Sequence, residues 1–257
     1  MPERDLTLIA EAARDAGAVA LRYWKAEPKV WEKPGQGPVT EADLAVNDLL
    51  ADRLRGARPG YGWLSEETPD NPARLSYERV FILDPIDGTR TFIAGEKHFA
   101  VSIAVAEKGR VIAGAIFLPA LDRLYTAFEG GPALRDGEPI SCADRHGLTG
   151  ANLLMSKGFL EPDHWRRAPP DLKRSFRSSI AYRLCLIAEG SFDGMILTRD
   201  TWEWDIAAGS LIAARAGAAV SDRHGNPLLF NSEAAKTAGI FTAPKGVHRE
   251  ILAEFKA

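Results

Sequence analysis

Residues 84–89 (DPIDGT) place two carboxylates, a glycine and a hydroxyl directly after the apolar run 79–83. That run predicts a buried strand, and strand ends present side chains to clefts in α/β proteins. Pro85 keeps Asp84 out of the helical region, and Gly88 lets a ligand approach the backbone. An Asx-type turn is the structural alternative. Carboxylates with no nearby cysteine or clustered histidine favour a hard cation such as Mg²⁺, so the motif predicts metal-assisted chemistry on a phosphate.

Two further acidic residues follow predicted elements in a similar way. Glu66 lies just after a strand candidate over residues 61–64, with Ser65 between them, and Asp205 lies near the start of a helix predicted over residues 202–216. Glu66 could instead be one of two exposed loop residues, together with Glu67, without any chemical role. Asp205 could instead serve only to interact favourably with the helix dipole. The small residues that follow Asp205 favour close packing, and both carboxylates are candidate metal ligands.

Asp43 is a candidate for a purely structural role. Thr40 and Asp43 have the spacing of a capping box at the start of a helix that is predicted to begin at Thr40. The residues by themselves favour the cap over a contact with another part of the chain.

The rest of the chain predicts the elements that position these residues. Apolar residues at three-to-four spacing predict a first helix over residues 6–24, and the Gly- and Pro-rich segment 33–38 predicts a mobile loop. Alternating residues on both sides of a turn predict a hairpin over 99–118. The second half alternates predicted strands and helices. The chain is therefore predicted to be α/β, with an α+β first half.

Composition excludes several classes of function. The chain has 257 residues and a formal net charge of −3. Its basic residues are scattered apart from Lys173, Arg174 and Arg177, so no nucleic-acid polymer is expected as a partner. The two cysteines, Cys142 and Cys185, are far apart and favour a reducing compartment. An acidic N-terminus and the lack of a long apolar run predict no signal peptide, no membrane partner and a cytoplasmic location.

Four segments together resemble the inositol monophosphatase family of Mg²⁺-dependent phosphatases. The matching segments, in family order, are PVTEAD (38–43), LSEE (64–67), DPIDGT (84–89) and WDIAAG (204–209), the last followed by Ala216-Gly217. The resemblance implies a layered αβαβα sandwich and one phosphatase unit over residues 1–257. Its approximate halves are a metal-binding α+β half (1–140) and an α/β half (141–257). A homodimer is also an option, because the family often dimerises.

The resemblance further implies a set of metal ligands. One Mg²⁺ would be held by Glu66, Asp84 and the carbonyl of Ile86, and would activate the attacking water. A second would be held by Asp84, Asp87 and Asp205 and would neutralise charge on the leaving oxygen. Glu66 is therefore expected to be catalytic as well as a ligand, and Asp205 to contact substrate. A third ion near Glu66 is a family option.

Three more roles come from the same resemblance. The hydroxyl of Thr89, hydrogen-bonded to Asp43, would orient the water, and the amides of Gly88 and Thr89 would bind the phosphate. Inhibition by Li⁺ is expected, because it is frequent in the family.

The sequence departs from the family pattern in two places. Gly35 and Gly37 stand in the loop near Lys33, where a polar or acidic residue is usual, which bears on the third ion. Thr198 stands where inositol-specific members carry a glutamate that contacts sugar hydroxyls, and Arg199 is beside it. An arginine suits a second phosphate better than a polyol.

The substrate is predicted to be a small phosphorylated metabolite, with 3′-phosphoadenosine 5′-phosphate favoured and a 3′(2′),5′-bisphosphate nucleotidase as the activity. Arg90 fits that branch, whereas Thr91 does not. Arg183 and Ser179 are the other candidate substrate contacts, with a solvated arginine and a helix cap as their structural alternatives. Inositol-1-monophosphatase, histidinol-phosphatase and sugar bisphosphatase activities stay open, as does a catalytically silent protein that binds phosphorylated ligands.

Overall fold

A computed structural model describes residues 2–33 and 37–256. The helices in these residues are α1 (Pro2–Tyr23), α2 (Glu41–Ala57), α3 (Thr89–Ile93), α4 (Ile180–Ala188), α5 (Glu203–Arg215) and α6 (Lys245–Glu254). Among these helices, none combines the length and the apolar character that crossing a membrane requires.

The strands form two principal sheets. In chain order they are β1 (Val30–Lys33), β2 (Gly37–Thr40), β3 (Gly62–Ser65), β4 (Arg79–Asp87), β5 (Ala100–Glu107), β6 (Arg110–Leu118), β7 (Arg123–Phe128), β8 (Leu134–Arg135), β9 (Glu138–Pro139), β10 (Asn152–Leu154), β11 (Lys173–Ser175), β12 (Gly194–Leu197), β13 (Thr201–Trp202), β14 (Ala219–Ser221), β15 (Lys236–Thr237) and β16 (Ile240–Ala243). The larger sheet has the order β3-β4-β5-β6-β7-β8-β9 and is antiparallel except for β3 and β4. The smaller, mixed sheet has the order β11-β10-β12-β16-β14, and β1-β2 and β13-β15 are separate pairs.

Helices and sheets stack in five layers. Helices α1 and α2 cover one face of the larger sheet, α4 and α5 lie between the two sheets, and α6 covers the outer face of the smaller sheet. Alternating side chains of β4 pack on both sides of the larger sheet. Phe81 and Leu83 join the core under α1 and α2, whereas Val80 and Ile82 join the core under α4 and α5. Because both faces of this part of the strand are buried, residues 80–83 are apolar without alternation. The predicted αβαβα sandwich is confirmed.

Small residues bring α5 close to the larger sheet. A Cβ atom on Gly114 of β6 would lie only 2.9 Å from the carbonyl oxygen of Ala208 on α5. Only glycine is compatible with that approach, since Cβ atoms do not come so near backbone oxygens. The close packing places the first turn of α5, with Asp205, against the end of β4.

The segment predicted to be a mobile loop is partly a hairpin. Lys33 pairs with Gly37 at the end of the antiparallel β1-β2 pair, and Gly35 lies outside the described residues. The Gly and Pro content predicts a turn correctly but hides the short strands on either side of it. Strands as short as β8, β9 and β11 also escape prediction, because two or three residues carry no periodicity. The division of the chain into halves at residue 140 stays a prediction.

Candidate active site

Strand β4 delivers the first carboxylate through a bulge at its end. The register against β5 shifts between Asp84 and Asp87, and the Oδ1 atom of Asp84 accepts a hydrogen bond of 2.9 Å from the amide of Ile86. The Asx turn considered as an alternative is therefore present. It occupies only one carboxylate oxygen, and the second oxygen accepts no hydrogen bond from any described residue.

Gly88 allows the chain to turn from β4 into the short helix α3. Its φ of +96° lies in the left-handed region, where side chains are strained. A Cβ atom there would also lie 3.3 Å from the carbonyl oxygen of His98. A glycine is therefore required for Thr89 to begin α3 directly beside the two aspartates.

Asp87 is fixed by the start of helix α4. Its Oδ2 atom accepts hydrogen bonds from the Ser179 hydroxyl, at 2.5 Å, and from the amide of Ala181, at 2.6 Å. Ser179 is fully buried and also caps α4 by accepting a bond of 3.0 Å from the amide of Tyr182. Ser179 thus positions Asp87 instead of facing the cleft, where we predicted it as a substrate contact.

Three carboxylates converge from β4 and α5. Single oxygens of Asp84, Asp87 and Asp205 all lie within 4.8 Å of one another. Burial, and then the charges of the neighbouring carboxylates, raise the pKa of Asp84 and Asp205. Burial also raises the pKa of Asp87, against the opposing effect of its hydrogen bonds. Repelling, desolvated carboxylates with only oxygen donors are the chemistry that a hard divalent cation stabilises, so the donor set fits Mg²⁺.

Glu66 lies beside this cluster and is paired with a lysine. The Nζ atom of Lys33 is 3.3 Å from Glu66 and 2.8 Å from Glu67. Burial raises the pKa of Glu66 to about 7, in spite of the lysine. Glu66 lines the same cleft as Asp84 and Asp205, so all four acidic residues predicted as ligands are brought together. The contact from Lys33 had no clear signal in the sequence.

Asp43 is both a helix cap and a partner of Thr89. Its Oδ2 atom accepts hydrogen bonds from the amide (2.8 Å) and the hydroxyl (2.5 Å) of Thr40, which completes the capping box of α2. Its Oδ1 atom lies 3.3 Å from the hydroxyl of Thr89, which also reaches the carbonyl of Ile86 at 3.2 Å. Burial raises the pKa of Asp43 to about 6. Asp43 therefore caps α2 and contacts Thr89 at the same time, so the two interpretations of this residue are compatible.

A cleft of about 610 Å³ opens over the cluster. Its wall includes Arg90, Arg183 and Arg199, whereas its acidic residues, among those described, are Glu66 and the three aspartates of the cluster. The guanidinium of Arg183 lies 4.4 Å from the ring centre of Phe176. Burial lowers the pKa of Arg183 to about 10, so the side chain stays charged at neutral pH. Phe159 also lines the wall, and no pattern in the sequence marked either aromatic residue.

The chain matches the inositol monophosphatase family over residues 2–257. It belongs to the inositol monophosphatase family. An inositol-1-monophosphatase from Mesorhizobium japonicum is 34% identical over 236 residues, which cover 86% of each chain. A 3′(2′),5′-bisphosphate nucleotidase CysQ from Escherichia coli O157:H7 is 33% identical over 237 residues, which cover 87% of this chain and 92% of the relative. The solved structure of extragenic suppressor protein suhB from Bartonella henselae has a TM-score of 0.84 and 26% identity, with 97% of each chain covered.

Membership of this family establishes the class of reaction. Inositol monophosphatase family members are Mg²⁺-dependent phosphatases, and this family member keeps an acidic cluster for the metal. The protein is a magnesium-dependent phosphatase. Relatives with two different activities are almost equally similar, so overall identity does not choose the substrate.

Proposed function

We propose that this phosphatase is a 3′(2′),5′-bisphosphate nucleotidase that releases phosphate from 3′-phosphoadenosine 5′-phosphate. The observation that carries this proposal is the charge of the cleft beyond the proposed metal ligands, where the described residues of the wall include three arginines and no further carboxylate. A second phosphate needs such cations, whereas the hydroxyls of inositol need acceptors. Thr198 lines the cleft in place of an acidic acceptor, which supports the same choice.

The residues of the cleft divide the catalytic work. We assign the ligand role to Glu66, Asp84, Asp87, Asp205 and the carbonyl of Ile86. When bound, two Mg²⁺ ions supply Lewis-acid activation of the attacking water and neutralise charge on the leaving oxygen. We propose two ions instead of three, because the ammonium of Lys33 already places a positive charge between Glu66 and Glu67.

Thr89 and Gly88 orient the reactants in this proposal. The Thr89 hydroxyl donates a hydrogen bond to Asp43, so its oxygen can accept one from the attacking water. This bond orients the water in line with the scissile bond. The amides of Gly88 and Thr89 bind the non-reacting phosphate oxygens. Arg183, Arg90 and Asp205 contact the remainder of the substrate. These groups act by positioning and electrostatic stabilisation, which dominate phosphoryl transfer.

A substrate panel tests the proposal. We expect kcat/KM for adenosine 3′,5′-bisphosphate to exceed the values for inositol 1-phosphate, histidinol phosphate and a sugar bisphosphate by at least about tenfold, the size of one good charge contact. Arg183→Gln should remove most of that preference without lowering kcat on the other substrates. Arg55→Gln, an exposed change on α2, is the matched control. A wild-type preference for inositol 1-phosphate would overturn the assignment.

A catalytically silent protein that binds phosphorylated ligands is the alternative from another class. Convergence of every predicted ligand in one cleft disfavours it, because a binding protein has no need to keep repelling carboxylates together. Ligand binding without phosphate release on any substrate in the presence of Mg²⁺ would favour it. A cytoplasmic location and a homodimer stay predictions.

A further inference from the structure

One wall of the cleft belongs to a segment with little secondary structure of its own. We define the lip segment as residues 156–166, of which Ser156 and Phe159 line the cleft. The segment consists mainly of the 3₁₀ turns Lys157–Leu160 and Pro162–His164. Such short turns have weak internal hydrogen bonds, so the position of Phe159 must depend on contacts with other parts of the chain.

Those contacts come from the end of helix α6. The amide of Arg166 donates to the carbonyl of Glu254 at 2.7 Å, and the amide of Lys256 donates to the carbonyl of His164 at 2.8 Å. Trp165 and Phe255 form the antiparallel bridge between these two bonds. The lip segment is therefore tied by its backbone to residues more than 80 positions away in the chain.

Phe255 extends this connection to the cleft wall itself. Its ring is 2% exposed and lies 5.3 Å from the ring of Phe159, 5.0 Å from that of Trp165 and 5.8 Å from that of Phe241, each pair edge-to-face. The indole nitrogen of Trp165 in turn donates to the carbonyl of Phe159 at 2.8 Å. Phe159 is thus held through its ring by Phe255 and through its backbone by Trp165.

We propose that Phe255 is a positioning residue for substrate affinity: it holds Phe159 on the cleft wall where the part of the substrate beyond the scissile phosphate binds. This inference rests on the proposed function only in that the substrate extends past the acidic cluster. Phe255 itself has no place on the cleft surface. Loss of its ring should therefore weaken binding of large substrates and leave the chemistry at the metal cluster unchanged.

Kinetics on a large and a small substrate test the role in catalysis. The large substrate is the one that the wild-type enzyme hydrolyses best in the panel, and glycerol 2-phosphate is the small one. Phe255→Ala and Phe159→Ala should each raise KM for the large substrate about fivefold or more, the loss of one aromatic contact. For Phe255→Ala, which lies off the cleft surface, kcat on both substrates and KM for glycerol 2-phosphate should change by less than about twofold. KM for the large substrate should be no higher in the double variant than in Phe159→Ala, because both changes remove the same contact with substrate.

Hydrogen exchange tests the structural connection without any substrate. Exchange of the lip segment should rise at least tenfold in Phe255→Ala and return most of the way in Phe255→Leu, which keeps apolar volume. Phe241→Leu is the matched control, because Phe241 contacts the same ring but lies in β16 away from the cleft. If Phe255→Ala does not fold, the test uses Phe255→Leu, which keeps apolar volume but loses the edge-to-face ring contacts, so exchange of the lip segment should still exceed that in Phe241→Leu by about twofold.

The outcomes separate this inference from the proposed function. The wild-type panel alone decides whether bisphosphate nucleotides are the substrate. Exchange of the lip segment in Phe255→Ala that is no higher than in Phe241→Leu would overturn the positioning role, and the same result in Phe255→Leu would do so if Phe255→Ala does not fold. An unchanged KM in Phe159→Ala, or additive effects in the double variant, would overturn the contact with substrate. A loss of kcat on both substrates would show a general defect and would also contradict the proposal.

Discussion

Neutralising Asp205 should stabilise the metal-free protein while it stops turnover. Three carboxylate oxygens lie within 4.8 Å. At that separation two charges repel by roughly 3 kcal/mol at an effective dielectric constant of about 20. Raised pKa values leave the cluster partly protonated without metal, so the realised gain is smaller, roughly 1–2 kcal/mol. For a chain of this size that gain corresponds to an increase in melting temperature of about 2–8 °C.

Asp205→Asn is the suitable change because the Asp205 carboxylate accepts no hydrogen bond from the described residues. We expect the melting temperature of this variant in EDTA to exceed that of the wild type. Addition of MgCl₂ should raise the melting temperature of the variant less than that of the wild type. Phosphate release should fall by at least about 10³-fold, since a ligand to the metal is lost. Asp52→Asn, an exposed change on α2, controls for net charge. A lower melting temperature in EDTA, or wild-type turnover, would refute the proposed electrostatics of the cluster.

Three other predictions concern the same site. Asp43→Asn keeps an acceptor for the α2 cap but weakens the contact to Thr89, so kcat should fall about 10²-fold with a melting temperature close to wild type. Burial raises the pKa of Glu66 from 4.5 to about 7, so the metal-free fold holds a proton that the unfolded chain releases. Its melting temperature in EDTA should therefore fall as pH rises from 5 to 8, and a flat profile would contradict this. Li⁺ should inhibit Mg²⁺-dependent phosphate release, and unchanged rates at high Li⁺ would count against the proposed metal arrangement.

The convergence of the acidic residues could be predicted from the sequence because each proposed ligand lies near the end of a recognisable element. Asp84 and Asp87 come at the end of an apolar run that is long enough for a buried strand. Asp205 precedes small residues that allow α5 to approach the larger sheet. Both signals are local in the sequence. The fold then brings the end of β4 and the start of α5 together.

Only part of the cleft wall could be predicted: Arg90, Arg183 and Arg199 were candidates from the sequence, whereas the phenylalanines of the wall carry no local signal. Phe159 and Phe176 lie in or next to short irregular segments, and their side chains reach the cleft only through long-range packing. Lys33, the last residue of β1, contacts Glu66, which follows β3, so the contact joins residues 33 positions apart. Such contacts are set by tertiary structure, which periodicity and motif spacing do not describe.

Two aspartates of the site show why a capping pattern is poor evidence against a catalytic role. A carboxylate has two oxygens, and Asp43 uses one for the α2 cap and the other for Thr89. Asp87 likewise gives one oxygen to the start of α4, through Ser179, and has a second for the metal cluster. A helix start is rigid and its amides favour negative charge, so it holds a carboxylate in one orientation better than a loop could. The start of the helix therefore helps to position each acidic group for its proposed role.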